Sequence, residues 1–289
     1  MQSQVIVPLD GSTYAEAILP HALFFAQQTQ SVLTLLRVIM PPGEPEYTVP
    51  YIPDDWYDGE VSWTKSYLTS LAARLQAQGA RVQTQYLEGT LCGATINSYA
   101  EQHSDVQLIA LATHGRGAGG RLLLGSVAGD VYASAPTSLL LLHPPKDEHL
   151  PSGPITHASY QTIVVPLDGI VGSERVLEQA TTQALACHAS VLLVADPPPP
   201  LLEQGIRTYE EMKLTDFLAD QAERLHSSTG LTVQTAFTDG DPETFIERLQ
   251  GQYRQNLLIV TTRQQAEQKV MRFLHQSNVP VLFVAIERR

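Results

Sequence analysis

Val5-Ile6-Val7-Pro8-Leu9-Asp10-Gly11 returns in the second half of the chain as Ile163-Val164-Val165-Pro166-Leu167-Asp168-Gly169, identical at five positions and exchanging only Val and Ile at the others. A short apolar run closed by Pro, Asp and Gly reads as a buried strand leaving into a tight turn. Each copy continues into an Ala-rich amphipathic stretch, Ala15 to Gln28 and Ser173 to Ala186. A second apolar run follows, Val32 to Val38 and Ser190 to Ala195. Strand, helix, strand, written twice, marks a duplication.

Working outward, Glu88-Gly89 and Gly240-Asp241-Pro242-Glu243 each stand between a strand-like and a helix-like segment, with Pro242 suited to a first helical turn. Leu108 to Leu111 and Leu257 to Val260 read as fourth strands. Leu139 to Leu142 and Val281 to Val284 read as fifth strands, closely preceded by Pro136 and Pro280. This alternation predicts an α/β protein of two tandem Rossmann-like domains, each a five-stranded parallel sheet with helices on both faces. The 289 residues are enough for two such cores. The expected boundaries are 1–146 and 160–289, with 147–159 as linker, since that stretch carries Pro151, Gly153 and Pro154 and no apolar period. In such sheets ligands sit beyond the carboxyl ends of the strands, where strand order reverses. Asp10 and Val38 fall at such ends.

A formal charge of −12 excludes a general nucleic-acid binder, which needs clustered Lys and Arg, but leaves room for a small anion at a local basic loop. Cys92 and Cys187 lie in different halves with no ligand cluster near them, so neither a disulfide framework nor a zinc site is expected, and a reduced, cytoplasmic setting fits. The residues Met1 to Gln4 carry no basic region, and Pro8 and Asp10 interrupt the apolar stretch after them, unlike a signal peptide. No apolar run approaches the ~20 residues that span a bilayer, so no membrane partner is expected.

The chemistry concentrates in Ala112-Thr113-His114-Gly115-Arg116-Gly117-Ala118-Gly119-Gly120-Arg121-Leu122-Leu123-Leu124-Gly125-Ser126. Glycines let backbone N–H groups approach an anion, Arg116 and Arg121 add positive charge, and Ser126 opens a helical pattern whose N-terminus favours phosphate. Together with the tandem strand openings, this loop resembles the universal stress protein family over essentially the whole chain. Nucleotide-binding members of that family show Gly-x2-Gly-x9-Gly-(Ser/Thr). Here Gly115 takes the second glycine, Arg116 to Leu124 supply the nine residues, and Gly125-Ser126 close the motif. Ala112 stands where the first glycine belongs; a positive φ there would strain its Cβ, and a close ligand would meet its methyl.

The resemblance implies an adenine nucleotide alpha hydrolase-like fold and ATP, with or without Mg²⁺, as ligand. It implies that Asp10, with Pro8 and Leu9, meets the adenine and ribose, and that Val38 presents its backbone to adenine. Gly115, Arg116, Gly117, Gly125, Ser126 and Val127 would surround the phosphates, with Ala112, Thr113, His114 and Arg121 completing the loop. It further implies pairing of the two fifth strands, an intramolecular pseudo-dimer, with a homodimer of chains as a further option.

The second copy departs from this pattern. Ala112 to Pro136 spans 24 positions but Thr262 to Pro280 only 18, with no glycine between them, so Asp168 is left without a phosphate loop and reads as a turn residue. One nucleotide site per chain is therefore expected. Gly115-x-Gly117-x-x-Gly120 follows a fourth strand, not a first, and no acid stands ~20 residues on, which argues against a dinucleotide. Motifs of phosphate-loop NTPases, ATP pyrophosphatases and adenylyltransferases are absent. His114 has no partner that sequence can place beside it as a base. The stretch Pro41 to Glu60, rich in Pro, acids and aromatics, reads as a solvated loop able to wall the crevice, and Pro197 to Pro200 as a rigid exit from a strand. The expectation is an ATP-binding, non-enzymatic stress-response module. A weak ATPase and an interaction protein without nucleotide are the alternatives.

Overall fold

The computed structural model describes residues 2–40, 55–113, 124–144, 155–167, 173–196, 204–238, 257–262 and 279–285, and singly Phe245, Leu249 and Leu274. The chain divides into two compact units, Met1–Ala158 and Ser159–Arg289.

In the first unit the elements run β1 (Gln4–Pro8), α1 (Thr13–Glu16), α2 (Leu19–Gln28), β2 (Val32–Ile39), α3 (Trp56–Gln76), β3 (Val82–Glu88), α4 (Cys92–Gln102), β4 (Val106–Ala112), α5 (Ser126–Ser134) and β5 (Ser138–Leu142). The strands pair in parallel in the order β3-β2-β1-β4-β5. Val5, Ile6 and Val7 are each at most 1% exposed and Leu139 to Leu141 are fully buried. Consecutive burial means that both sheet faces are covered, which is why these strands are apolar at every position and do not alternate. Each such side chain contributes about 1.5–3 kcal/mol of burial.

The stretch read as one helix from Ala15 to Gln28 is two, broken at Ala17 and Ile18. Pro20 is the cause: it cannot donate to the carbonyl of Glu16, and it sits instead in the first turn of α2, where no donor is needed. The acidic aromatic insert also differs from its reading as loop, because Trp56 to Glu60 form the first turns of α3. Residues 41–54 lie outside the described residues.

In the second unit β6 (Thr162–Pro166), α6 (Ser173–Cys187), β7 (Ser190–Ala195), α7 (Gln204–Thr229), β8 (Val233–Phe237), β9 (Leu257–Thr262) and β10 (Val281–Val284) give the strand order β8-β7-β6-β9-β10, again parallel. The duplication reaches the turns. Gln30 (φ 53°) and His188 (φ 55°) close the helices before β2 and β7 in the left-handed region, and Gly79 (φ 80°) and Gly230 (φ 73°) do so before β3 and β8. Asp168, Pro197 to Pro200, Gly240 to Glu243 and the segment after Thr262 lie outside the described residues. Among the described residues, no helix is long and apolar enough to cross a membrane.

Candidate ligand-binding cleft

The strand order of the first unit reverses between β1 and β4, and a cleft of about 530 Å³ opens there at the carboxyl ends of the strands. That volume lies within the range of small-molecule sites. Its walls bring together Pro8, Leu9 and Asp10 after β1, Val38 on β2, Ala112 at the end of β4, and Gly125, Ser126 and Val127 at the start of α5.

Asp10 leaves β1 exposed, and its carboxylate accepts from the backbone N–H of Ser12 (2.8 Å), which shapes the turn. Ser12 in turn caps α1, accepting from the N–H of Ala15 (3.1 Å). Between them Gly11 adopts φ +87°, and a Cβ there would lie 2.4 Å from the Trp63 ring. Glycine is demanded at this point by both backbone and space.

Val38 offers backbone to the cleft for a reason of register. The Leu9 N–H donates to the carbonyl of Leu36 (2.8 Å) and the Gly89 N–H to that of Ile39 (3.2 Å). Successive residues of a strand face opposite neighbours, so the N–H and carbonyl of Val38 point to the β1 side, where β1 has already ended.

Gly125 caps α5 with φ −54° and ψ 158°, and the Gly129 N–H returns to its carbonyl (2.8 Å). The N–H groups of Ser126, Val127 and Ala128 precede the first complete helical bond and form an anion-favouring end at the cleft wall. The position of α5 depends on α4. Asn97 donates from Nδ2 to Ser134 Oγ (2.8 Å), and Gly93 lets the helices approach so closely that a Cβ on it would stand 2.4 Å from Asp130 Cβ.

Ala112 is an ordinary strand residue, paired with Leu142 and 8% exposed. It is not among the described non-glycine residues with positive φ, so no left-handed strain arises at the glycine-to-alanine departure. Thr113 is not brought into the cleft: it is fully buried, its N–H donating to the Leu142 carbonyl (2.7 Å) and its hydroxyl 2.9 Å from His143 Nδ1. His114, Gly115, Arg116, Gly117 and Arg121 lie outside the described residues.

Two contributors, Arg37 and Cys92, escaped sequence reasoning, while Glu60 ends the insert read as able to wall the crevice. Arg37 and Glu60 line the cleft and pair at 2.7 Å, and Cys92 at the start of α4 lines it too. Arg37 had a visible signal, being the one charged residue in β2. Its pairing with Glu60 had none, since only the fold carries α3 to β2. Burial, with Asp10 adding to it, pushes the Cys92 thiol up, so it rests protonated. On the outer side of α3, the Tyr57 hydroxyl donates to Glu88, and this bond pushes the phenol up to about 12. Among the described residues, no group of three or more His, Cys, Asp or Glu could hold a metal ion.

Among the described residues, the second unit places different side chains at the equivalent strand end. The Leu167 N–H donates to Val194 O (2.7 Å) as Leu9 does to Leu36, which aligns Ala195 with Arg37 and Asp196 with Val38. The Asp196 carboxylate there accepts from the Thr238 hydroxyl at 2.6 Å.

A doubly wound parallel unit with a cleft at its switch point, faced by a helix N-terminus, belongs to the α/β class whose ligand crevices lie at that point. Within that class the profile of the universal stress protein family matches residues 1–143 and 159–285, and the chain belongs to this family. A universal stress protein from Archaeoglobus fulgidus is similar in fold over 97% of this chain and 95% of its own, with TM-score 0.64 and 16% identity. A functionally unknown protein from Pseudomonas aeruginosa matches over 98% of this chain and 92% of its own, with TM-score 0.62 and 14% identity. A universal stress protein in complex with cAMP covers 50% of this chain and 98% of its own, with TM-score 0.38 and 19% identity. Comparison with curated proteins yields no match.

Proposed function

We propose that the first unit binds one adenine nucleotide, ATP, in the β1/β4 cleft and that the chain acts as a ligand-responsive stress-response module, not chiefly as an enzyme. The observation that carries this reading is the convergence of three complementary groups on one cavity. The Asp10 carboxylate accepts from sugar hydroxyls, the outward backbone of Val38 pairs with a base edge, and the N-terminus of α5 with the Ser126 hydroxyl receives phosphate. Charge sets the direction. With Glu60 offset by Arg37, Asp10 leaves the β1/β2 end of the cleft net negative and unfavourable for phosphate, so the phosphates run toward α5. Metal-ligating side chains are not needed for this, because the phosphates themselves would carry Mg²⁺. The second unit serves as a structural repeat, its Asp196 carboxylate already engaged by Thr238 where the first unit presents Val38.

Calorimetric titration of the whole chain with ATP and Mg²⁺ tests the reading. One equivalent of saturable heat is expected, weakened about tenfold by Ser126→Ala, the loss of one hydrogen bond to a charged group. Absence of heat at millimolar ATP refutes it and favours an interaction protein, whose contact surface would include the exposed Met40, Tyr57 and Trp63.

A further inference from the structure

Arg37 is held from three sides. Its Nη2 donates to Glu60 Oε1 at 2.7 Å, its Cζ lies 4.5 Å from the Trp63 ring centroid, and its Nη1 lies beneath the Gly11 turn, 3.4 Å from where a Cβ would stand. The side chain is only 15% exposed. Yet Nε and Nη1 are buried with no hydrogen-bond partner. A guanidinium carries five donors, and burial removes water as the substitute acceptor, so these two groups are costly until an acceptor arrives. Anchoring α3 does not account for them. That duty is met by Nη2 and the Trp63 stack, and the second unit builds the equivalent strand with Ala195.

We propose that Arg37 is a ligand-contacting specificity residue which, with Asp10, reads the sugar hydroxyls of the bound nucleotide, so that the cleft selects ribonucleotides over deoxyribonucleotides. This rests on the nucleotide reading of the cleft. A hydroxyl is at once donor and acceptor, and only a site offering both partners satisfies it fully. Asp10, in the turn directly before Gly11, accepts the O–H; Arg37, beneath that turn and on the cleft wall, donates to the oxygen. Glu60 already balances the guanidinium, so the acceptor it awaits is a neutral oxygen, not a further phosphate. A deoxy analogue would leave a buried donor unpaired, the situation in which polar sites discriminate most strongly.

The test is titration of wild type, Arg37→Met and Arg37→Lys with ATP, 2′-deoxy-ATP and 3′-deoxy-ATP. Wild type is expected to prefer ATP over at least one deoxy analogue by about tenfold or more. Arg37→Met should lose roughly 10- to 100-fold in ATP affinity and hold all three ligands within about threefold of one another, since a hydrogen bond to a charged group is removed. If the Met variant does not fold, Arg37→Lys, which keeps the charge and stem, decides by the same ratio. An unchanged ATP-to-deoxy ratio in the variants, or no preference in wild type, overturns the proposal while leaving the nucleotide site standing. A wild type that binds no nucleotide overturns both.

Discussion

Gly93→Ala places a methyl where α4 and α5 nearly touch, and its effect can be worked from three distances. The new Cβ would lie 2.4 Å from Asp130 Cβ, 3.1 Å from the Val127 carbonyl oxygen and 3.3 Å from the Val131 nitrogen. Ordinary contact begins at 3.4 Å, and all three atoms are fixed to the α5 backbone, so the helix must withdraw by about 1 Å. Alanine gains at most about 0.5–1 kcal/mol over glycine, the value for a helix interior, since Gly93 is the second residue of α4. Overpacking a closed contact costs about 1–3 kcal/mol. The contact wins, and a net loss of about 1–2 kcal/mol is expected. Function should suffer more than stability, because Ser126 and Val127 move with α5. A 1 Å displacement spoils charge-assisted hydrogen bonds to phosphate, and ATP affinity should fall tenfold or more. Both tryptophans, Trp56 and Trp63, lie on α3, so urea unfolding followed by their fluorescence reports the first unit alone. Calorimetry supplies the affinity. A variant at least as stable as wild type that binds ATP within twofold would refute the reasoning, showing that helix propensity outweighs the α4–α5 contact and that α5 does not hold the ligand.

Gly11→Ala should lower stability by about 1–2 kcal/mol, from the left-handed φ of +87° alone. It should also red-shift the emission as Trp63 is pushed off the turn; unchanged spectra and stability would count against that packing. His21 on α2 keeps some access to solvent, yet burial of its imidazole lowers its pKa to about 4, so the folded state binds its proton later than the unfolded chain does. The resulting stability is fully present above the unfolded value of ~6.5 and is lost as pH falls from there toward 4, amounting to about 2 kcal/mol between pH 7.5 and 5. Denaturation of the first unit at the two pH values, with His21→Gln as the variant lacking the slope, checks this; equal slopes in both proteins would exclude His21 as its origin.

How much of this was legible beforehand depends on the range over which each residue acts. The repeat at Val5 and Ile163 sufficed for two parallel α/β units, because parallel strands buried on both faces must be apolar throughout and their crossovers leave a helical period between them, whereas the strand order came from the structure. Asp10, Val38, Gly125 and Ser126 could be placed at strand and helix ends from local pattern alone. Two local readings failed where a specific atom mattered. Pro20 splits one amphipathic stretch into α1 and α2, and Trp56 to Glu60 are helical where proline-rich context suggested loop. Thr113 sat within the motif but turns inward to His143, a partner thirty residues away.

Sequence by itself therefore determined the class of the protein: a duplicated α/β chain of the universal stress family, with a glycine-rich loop in the first copy that the second copy lacks. Those features depend on period, turn residues and spacing, all local to the chain. Only the tertiary structure decided that Arg37 is clamped by Glu60 and Trp63 with two donors left over, that Gly93 determines the position of α5, and that Ala112 is an unstrained strand residue. Each of these is a contact between elements distant in sequence. What a side chain lacks, or what space a missing Cβ leaves, exists only once those elements have packed.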